Sequence, residues 1–219
     1  MKIALLLSGP YRGNSDMVKI HNENIGKYDT YVSTLPKYKK EWEDSDWDIT
    51  KIYTTNEVKF SQTNWYKFRN DGAGQAGFWQ FWNLTNVINN VPSDYDWYIK
   101  SRNDLVFNDR LNINFEFLNK DTFYCPNKYF DGQMWNTETL NDQFYIVSYD
   151  TLKVIGEFVN SFYQQFSHPL NYKMSSNERC LRTWLNENNI KVEGFDYSYS
   201  KNHNGNDVPS GYYKFQLEQ

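Results

Sequence analysis

The densest chemistry in the chain lies in DYDWYIKSRNDLVF, residues 94–107. An apolar, aromatic run gives way to Ser101, Arg102, Asn103 and Asp104, and Leu105, Val106 and Phe107 then resume it. A carboxylate at the end of a buried strand can hold Mg2+ or Mn2+, ions that take one or two carboxylates and complete their shell with a substrate's phosphate oxygens. Asp104 is the candidate metal ligand, and Asn103 is a weaker oxygen donor or a partner for a ribose hydroxyl. A polar turn between two strands is the plainer reading. Arg102 and Asp104 alternate out of an otherwise apolar strand, which favours a site.

Three other stretches carry polar groups where a strand or helix changes. In SGPYRG, residues 8–13, Gly9 and Pro10 make a turn after Ser8 and set Arg12 over the end of the first strand. A helix starting near Asn14 or Ser15 adds its free amides, so this turn can receive the base and diphosphate of a nucleotide. The alternative is a turn with a solvated Arg; neither GxGxxG nor GK[ST] is present. In NDQF, residues 141–144, Asp142 can serve as general base toward an acceptor hydroxyl, bind that acceptor, or simply start a strand. In SSNE, residues 175–178, Ser175 and Glu178 fit a capping box. Leu181 and Leu185 follow Glu178 at helical spacing, so this carboxylate sits at the edge of the buried face.

The remaining candidates are weaker. His21 falls at helical spacing and reads as a core or surface residue, while His203 lies in a polar tail. Trp42, Trp47, Trp65, Trp79 and Trp82 are sugar-stacking platforms or core residues, core packing explaining most of them. Cys125 and Cys180 show no metal-ligand spacing and read as buried, reduced thiols.

These residues need a framework of alternating strands and helices. Lys2–Ser8, Tyr28–Ser33, Ile49–Thr54, residues 96–100, Thr122–Cys125, Phe144–Val147 and Lys191–Phe195 read as strands. Helical spacing runs from Met17 to Ile25 with Gly26 as the stop, and from Gly74 to Val91. Two more helices follow, one capped by Asp150 and running to about Phe166, the other over 177–188. Residues 35–48 and 56–73 read as loops or short helices over a site, and the tail from Ser198 as irregular. Such alternation predicts an α/β fold, a largely parallel sheet with helices on both faces.

At 219 residues the chain is most economically one domain. Its aromatic content of 19% excludes a disordered chain. A net charge of -4 argues against a nucleic-acid footprint, and the basic run Lys37-Tyr38-Lys39-Lys40 is answered at once by Glu41, Glu43 and Asp44. The apolar run Ile3–Leu7 is too short for a secretory signal and suits a first strand. No run approaches the ~20 apolar residues of a transmembrane helix, so a soluble, cytoplasmic protein is expected.

In their order, SGPYR, YDTYVSTL, YDWYIKSRNDLVF, NDQFYIVSYDTLKVI and SSNERCLRTWL resemble a group of GT-A-like glycosyltransferases. These are the viral and bacterial enzymes that build capsid glycans, capsular polysaccharide or lipopolysaccharide. The likeness spans residues 2 to 195 and rests on order and spacing, not on a single motif. It implies one GT-A-like, Rossmann-like domain over residues 1–219, binding a UDP- or GDP-linked sugar at the carboxyl edge of the sheet. A hexosyl or deoxyhexosyl group would pass to a hydroxyl of a glycan or glycoconjugate, assisted by Mn2+ or Mg2+. Ser8, Gly9 and Arg12 match the nucleotide-binding turn. Arg102, Asn103 and Asp104 match the segment where such enzymes carry Asp-x-Asp, with Arg102 in place of the first carboxylate and Asp104 as metal ligand. Asp142 is the first candidate to remove the acceptor's proton and Glu178 the second. The rival reading, suggested by the aromatic content, is a non-catalytic carbohydrate-binding module.

Overall fold

The computed structural model describes residues 1–59, 61, 72–107, 109–126, 140–165, 177–195 and 199–201. Trp65, Ser175 and His203 lie outside the described residues. In chain order the elements are β1 (Ile3–Ser8), α1 (Ser15–Asn24), β2 (Asp29–Thr34), α2 (Lys39–Glu43), β3 (Ile49–Thr54) and α3 (Gly72–Asn90). They continue with β4 (Trp97–Ser101), β5 (Leu105–Phe107), β6 (Thr122–Pro126), β7 (Tyr145–Val147), α4 (Tyr149–Gln165), α5 (Asn177–Glu187), β8 (Lys191–Phe195) and β9 (Tyr199–Lys201).

The fold is α/β, built on a seven-stranded, mostly parallel sheet of order β3-β2-β1-β4-β7-β6-β8. Strands β1, β2, β3 and β4 run parallel, as do β6 and β8. Strand β7 is the exception, antiparallel to both β4 and β6. The chain moves outward from β1 to β3 and then crosses back through α3 to place β4 on the other side of β1. The loops leaving β1 and β4 therefore part at one crevice, the place where open α/β sheets bind ligands.

Side chains alternate across the sheet with period two, and each face is buried under helices. On one face Ala4, Leu6, Tyr98, Phe123 and Tyr145 pack under Phe78, Phe81 and Leu84 of α3, Leu152 and Ile155 of α4, and Leu181 and Leu185 of α5. On the other, Ile3, Leu5, Leu7, Ile99 and Ile146 pack with Val18 of α1 and Trp42 of α2. Cys125 and Cys180 are buried on the first face, and burial pushes both thiols up to about 12, which leaves them protonated and unreactive.

Two expectations shift. The helix expected to be capped by Asp150 begins earlier, because the Ser148 hydroxyl accepts the Thr151 amide at 3.3 Å. Asp150 sits instead in the first turn, where its charge suits the helix amino terminus. The tail is not wholly irregular: Tyr199–Lys201 pairs antiparallel with Leu105–Phe107 as a separate two-stranded sheet. Three residues carry too little pattern to be read as a strand, and this one is fixed by a partner almost a hundred positions away.

His21 is fully buried between Trp47 and Phe107, with ring centroids at 4.8 and 5.2 Å. Desolvation lowers its pKa from 6.5 to about 3, so the ring stays neutral in the fold. As pH falls from 6.5 toward 3, the unfolded chain takes up a proton that the native state refuses, and stability drops by about 1.4 kcal/mol per unit. Urea titrations between these limits are expected to show a shallower pH slope for His21→Gln than for the parent chain.

Candidate functional site

The SGPYRG turn is shaped by backbone constraints before any side chain acts. Gly9 has φ +98°, a left-handed conformation that L side chains rarely adopt. Its amide donates to the Ser33 carbonyl at 2.8 Å, and its own carbonyl accepts the indole N–H of fully buried Trp42 at 3.0 Å. Asn14 then caps α1 by accepting the Met17 amide at 3.0 Å. Between them, Gly13 meets the other loop: a Cβ there would stand 2.9 Å from the Asn103 carbonyl oxygen.

The SRND turn is tied to this one. Asn103, 5% exposed, donates its side-chain amide to the Pro10 carbonyl at 3.0 Å. Asp104 is 2% exposed, and Arg102 grips both its oxygens, through Nε to Oδ1 at 2.7 Å and through Nη2 to Oδ2. Arg12 approaches the same carboxylate from the first turn, its Nη1 3.9 Å from Oδ2. A buried carboxylate is stable only with such partners, and the planar guanidinium fork supplies two parallel bonds.

Ser8, Gly9, Arg12, Arg102, Asn103 and Asp104 line one cleft of about 490 Å3 at the carboxyl ends of β1 and β4. The other walls are Leu35, Tyr38, Val58 and Trp79, apolar or aromatic, with Lys37 and Glu57 paired at 2.8 Å on the rim. Of the tryptophans weighed as sugar platforms, Trp42 and Trp47 are buried in the core; Trp79 reaches the cleft wall.

Asp142 reaches this rim because β7 is reversed. In an all-parallel sheet the residues before a strand lie at its amino edge, away from the crevice. With Tyr145 opposite Lys100 in antiparallel register, Asn141, Asp142 and Gln143 lie beyond the carboxyl end of β4. Asn141 is a turn residue, its Oδ1 accepting the Gln143 and Phe144 amides at 2.9 and 3.2 Å. Asp142, 5% exposed, accepts a hydrogen bond at Oδ2 from Nε2 of Gln80, 2.8 Å away, and Gln80 lines the cleft. Glu178 opens α5 and is half-buried; among the described residues neither it nor Asp142 lines the cleft directly.

Two residues passed over in the sequence support this arrangement. Lys100 is 1% exposed, and its ammonium donates to the main-chain carbonyls of Asp142 and, at 3.1 Å, Gln143. The signal was a lysine inside a strand otherwise built for burial, since a buried charge needs dedicated acceptors. Gln80 carried no local signal: it lies on the helix repeat of α3 and acquires its role only when β7 docks.

A divalent cation at Asp104 would have to share that carboxylate with the arginines around it. Among the described residues no group of three or more His, Cys, Asp and Glu side chains is placed to hold a metal. Asp104 offers one carboxylate whose two oxygens are engaged by Arg102, with Arg12 close by. A dication there would sit beside two positive charges.

Asp104→Ala removes the buried carboxylate that Arg102 grips through two bonds and is expected to lower unfolding free energy by about 3 kcal/mol in urea titrations. Adding Arg102→Met should recover part of that loss. Gly13→Ala sets a methyl against a main-chain oxygen that cannot turn away, with an expected cost of about 1–2 kcal/mol by the same measurement.

The chain matches no protein-family model and no curated protein.

Proposed function

We propose that the protein is a glycosyltransferase of GT-A-like type, moving a hexosyl or deoxyhexosyl group from a UDP- or GDP-linked donor to a glycan hydroxyl. The observation that carries this reading is the meeting of Arg12, Arg102 and Asp104 in one cleft at the switch of strand order. A cationic end beside an aromatic, apolar wall suits a nucleoside diphosphate, whose base needs a flat surface and whose phosphates need fixed positive charge.

The chemistry follows from these groups. When the donor's bond from sugar carbon to phosphate oxygen breaks, the leaving diphosphate gains negative charge. Guanidinium groups already held in place stabilise that charge without reorganising. The acceptor hydroxyl must then lose its proton as its oxygen bonds to the sugar carbon. Asp142, hydrogen-bonded to Gln80 of the cleft lining, is the first candidate carboxylate for that step in an inverting reaction. Glu178, at the start of α5, is the second candidate for the same step.

Incubation with UDP- and GDP-linked hexoses and deoxyhexoses, scored by release of nucleoside diphosphate, tests the reading. Asp142→Asn is expected to lower kcat by about 10²–10⁴-fold while donor affinity stays unchanged. A chain that binds free glycan but no nucleoside diphosphate would instead be a carbohydrate-binding module.

A further inference from the structure

We propose that the cleft selects uracil over guanine as the donor's base, read by the side-chain amide of Asn83 and the indole N–H of Trp79. The inference rests on the glycosyltransferase reading, which supplies the nucleoside diphosphate; the choice of base comes from the wall. Trp79, Gln80 and Asn83 of α3 all line the cleft, Trp79 and Asn83 one helical turn apart on the same face. Asn83 is 2% exposed, a polar side chain that shares the lining with Leu35, Tyr38 and Val58. Its Nδ2 donates to the Trp79 main-chain carbonyl at 2.8 Å, and its Oδ1 accepts the Thr55 hydroxyl at 3.4 Å. A carbonyl only accepts, so the first bond fixes which end of the carboxamide is nitrogen. A carboxamide has two N–H donors and two lone pairs, so Asn83 keeps one of each uncommitted.

The second donor is the indole of Trp79, whose N–H meets no acceptor among the described residues. Together the two side chains offer two N–H donors and one acceptor. Uracil presents two carbonyls and one N–H on its pairing edge, and this set answers all three. Guanine presents one carbonyl, one N–H and an amine, and so asks for two acceptors. The other side-chain groups that could supply one are engaged: Glu57 is paired with Lys37 at 2.8 Å, and Gln80 is bonded to Asp142 at 2.8 Å. A buried amine without an acceptor forfeits its hydration, which is how a polar wall rejects the wrong ligand. The flat faces of Tyr38 and Trp79 suit either ring, so stacking adds affinity without choice.

Isothermal titration of the full chain with UDP and GDP in MnCl2 tests the proposal. UDP is expected to bind about tenfold more tightly than GDP, the difference that one satisfied hydrogen bond makes. Asn83→Asp exchanges the amide donor for an acceptor, so it should weaken UDP about tenfold and leave GDP unchanged or tighter. Trp79→Phe keeps an aromatic ring and the main-chain carbonyl but loses the N–H, and should narrow the preference about threefold. A merely structural defect lowers both nucleotides alike and leaves their ratio where it was. Thermal melts identify a variant that does not fold; if Asn83→Asp is one, the ratio in Trp79→Phe decides by itself. GDP bound as tightly as UDP, or a ratio unmoved in the folded variants, would overturn the proposal while leaving the glycosyltransferase reading intact. Binding of neither nucleotide would overturn both.

Discussion

Asp104 is a carboxylate taken almost wholly out of water, a state that costs several kcal/mol unless a counter-charge and hydrogen bonds replace the lost solvent. The replacement comes from Arg102 two residues earlier, and it forces the chain after β4 into a tight turn with both side chains on one side. That turn can form only where the SGPYRG loop makes room. Gly13 lies against the Asn103 carbonyl, and Pro10 receives the Asn103 amide. Two loops distant in sequence are thus docked by one buried charge and one close backbone contact.

The reversal of β7 is the second constraint. It trades a parallel pairing for an antiparallel one in the middle of the sheet, and so turns the approach to β7 toward the crevice. Lys100 secures the result. Its ammonium could be buried because the turn at Asp142 and Gln143 offers carbonyl oxygens, and that turn is held because the ammonium needs them. The interaction is mutual, which is how buried polar groups fix one arrangement among several.

Around this rim the core is conventional in its physics. Strand side chains alternate between two apolar layers, one under α1 and α2, the other under α3, α4 and α5. Crossing from one layer to the other between β3 and β4 reverses the direction in which strands are added, and that reversal opens the crevice. The cleft is a consequence of topology; its chemistry is supplied by the few polar residues at the strand ends.

Much of the framework was legible in residue order alone. Apolar runs, helical period and stop signals located β1 to β4, β6 to β8 and the helices α1, α3, α4 and α5, because those signals are local. The polar clusters at residues 8–13, 101–104 and 141–144 stood out since apolar strands have no use for them. Strand direction was not legible: β7 reads the same forward or reversed, and its sense is set by pairing with β4 and β6. The pairing of β5 with β9, the partner that Arg102 gives Asp104, and the part Gln80 takes at Asp142 were decided by tertiary structure. Each depends on which distant groups the fold brings within hydrogen-bonding reach, and one-dimensional spacing carries no record of that.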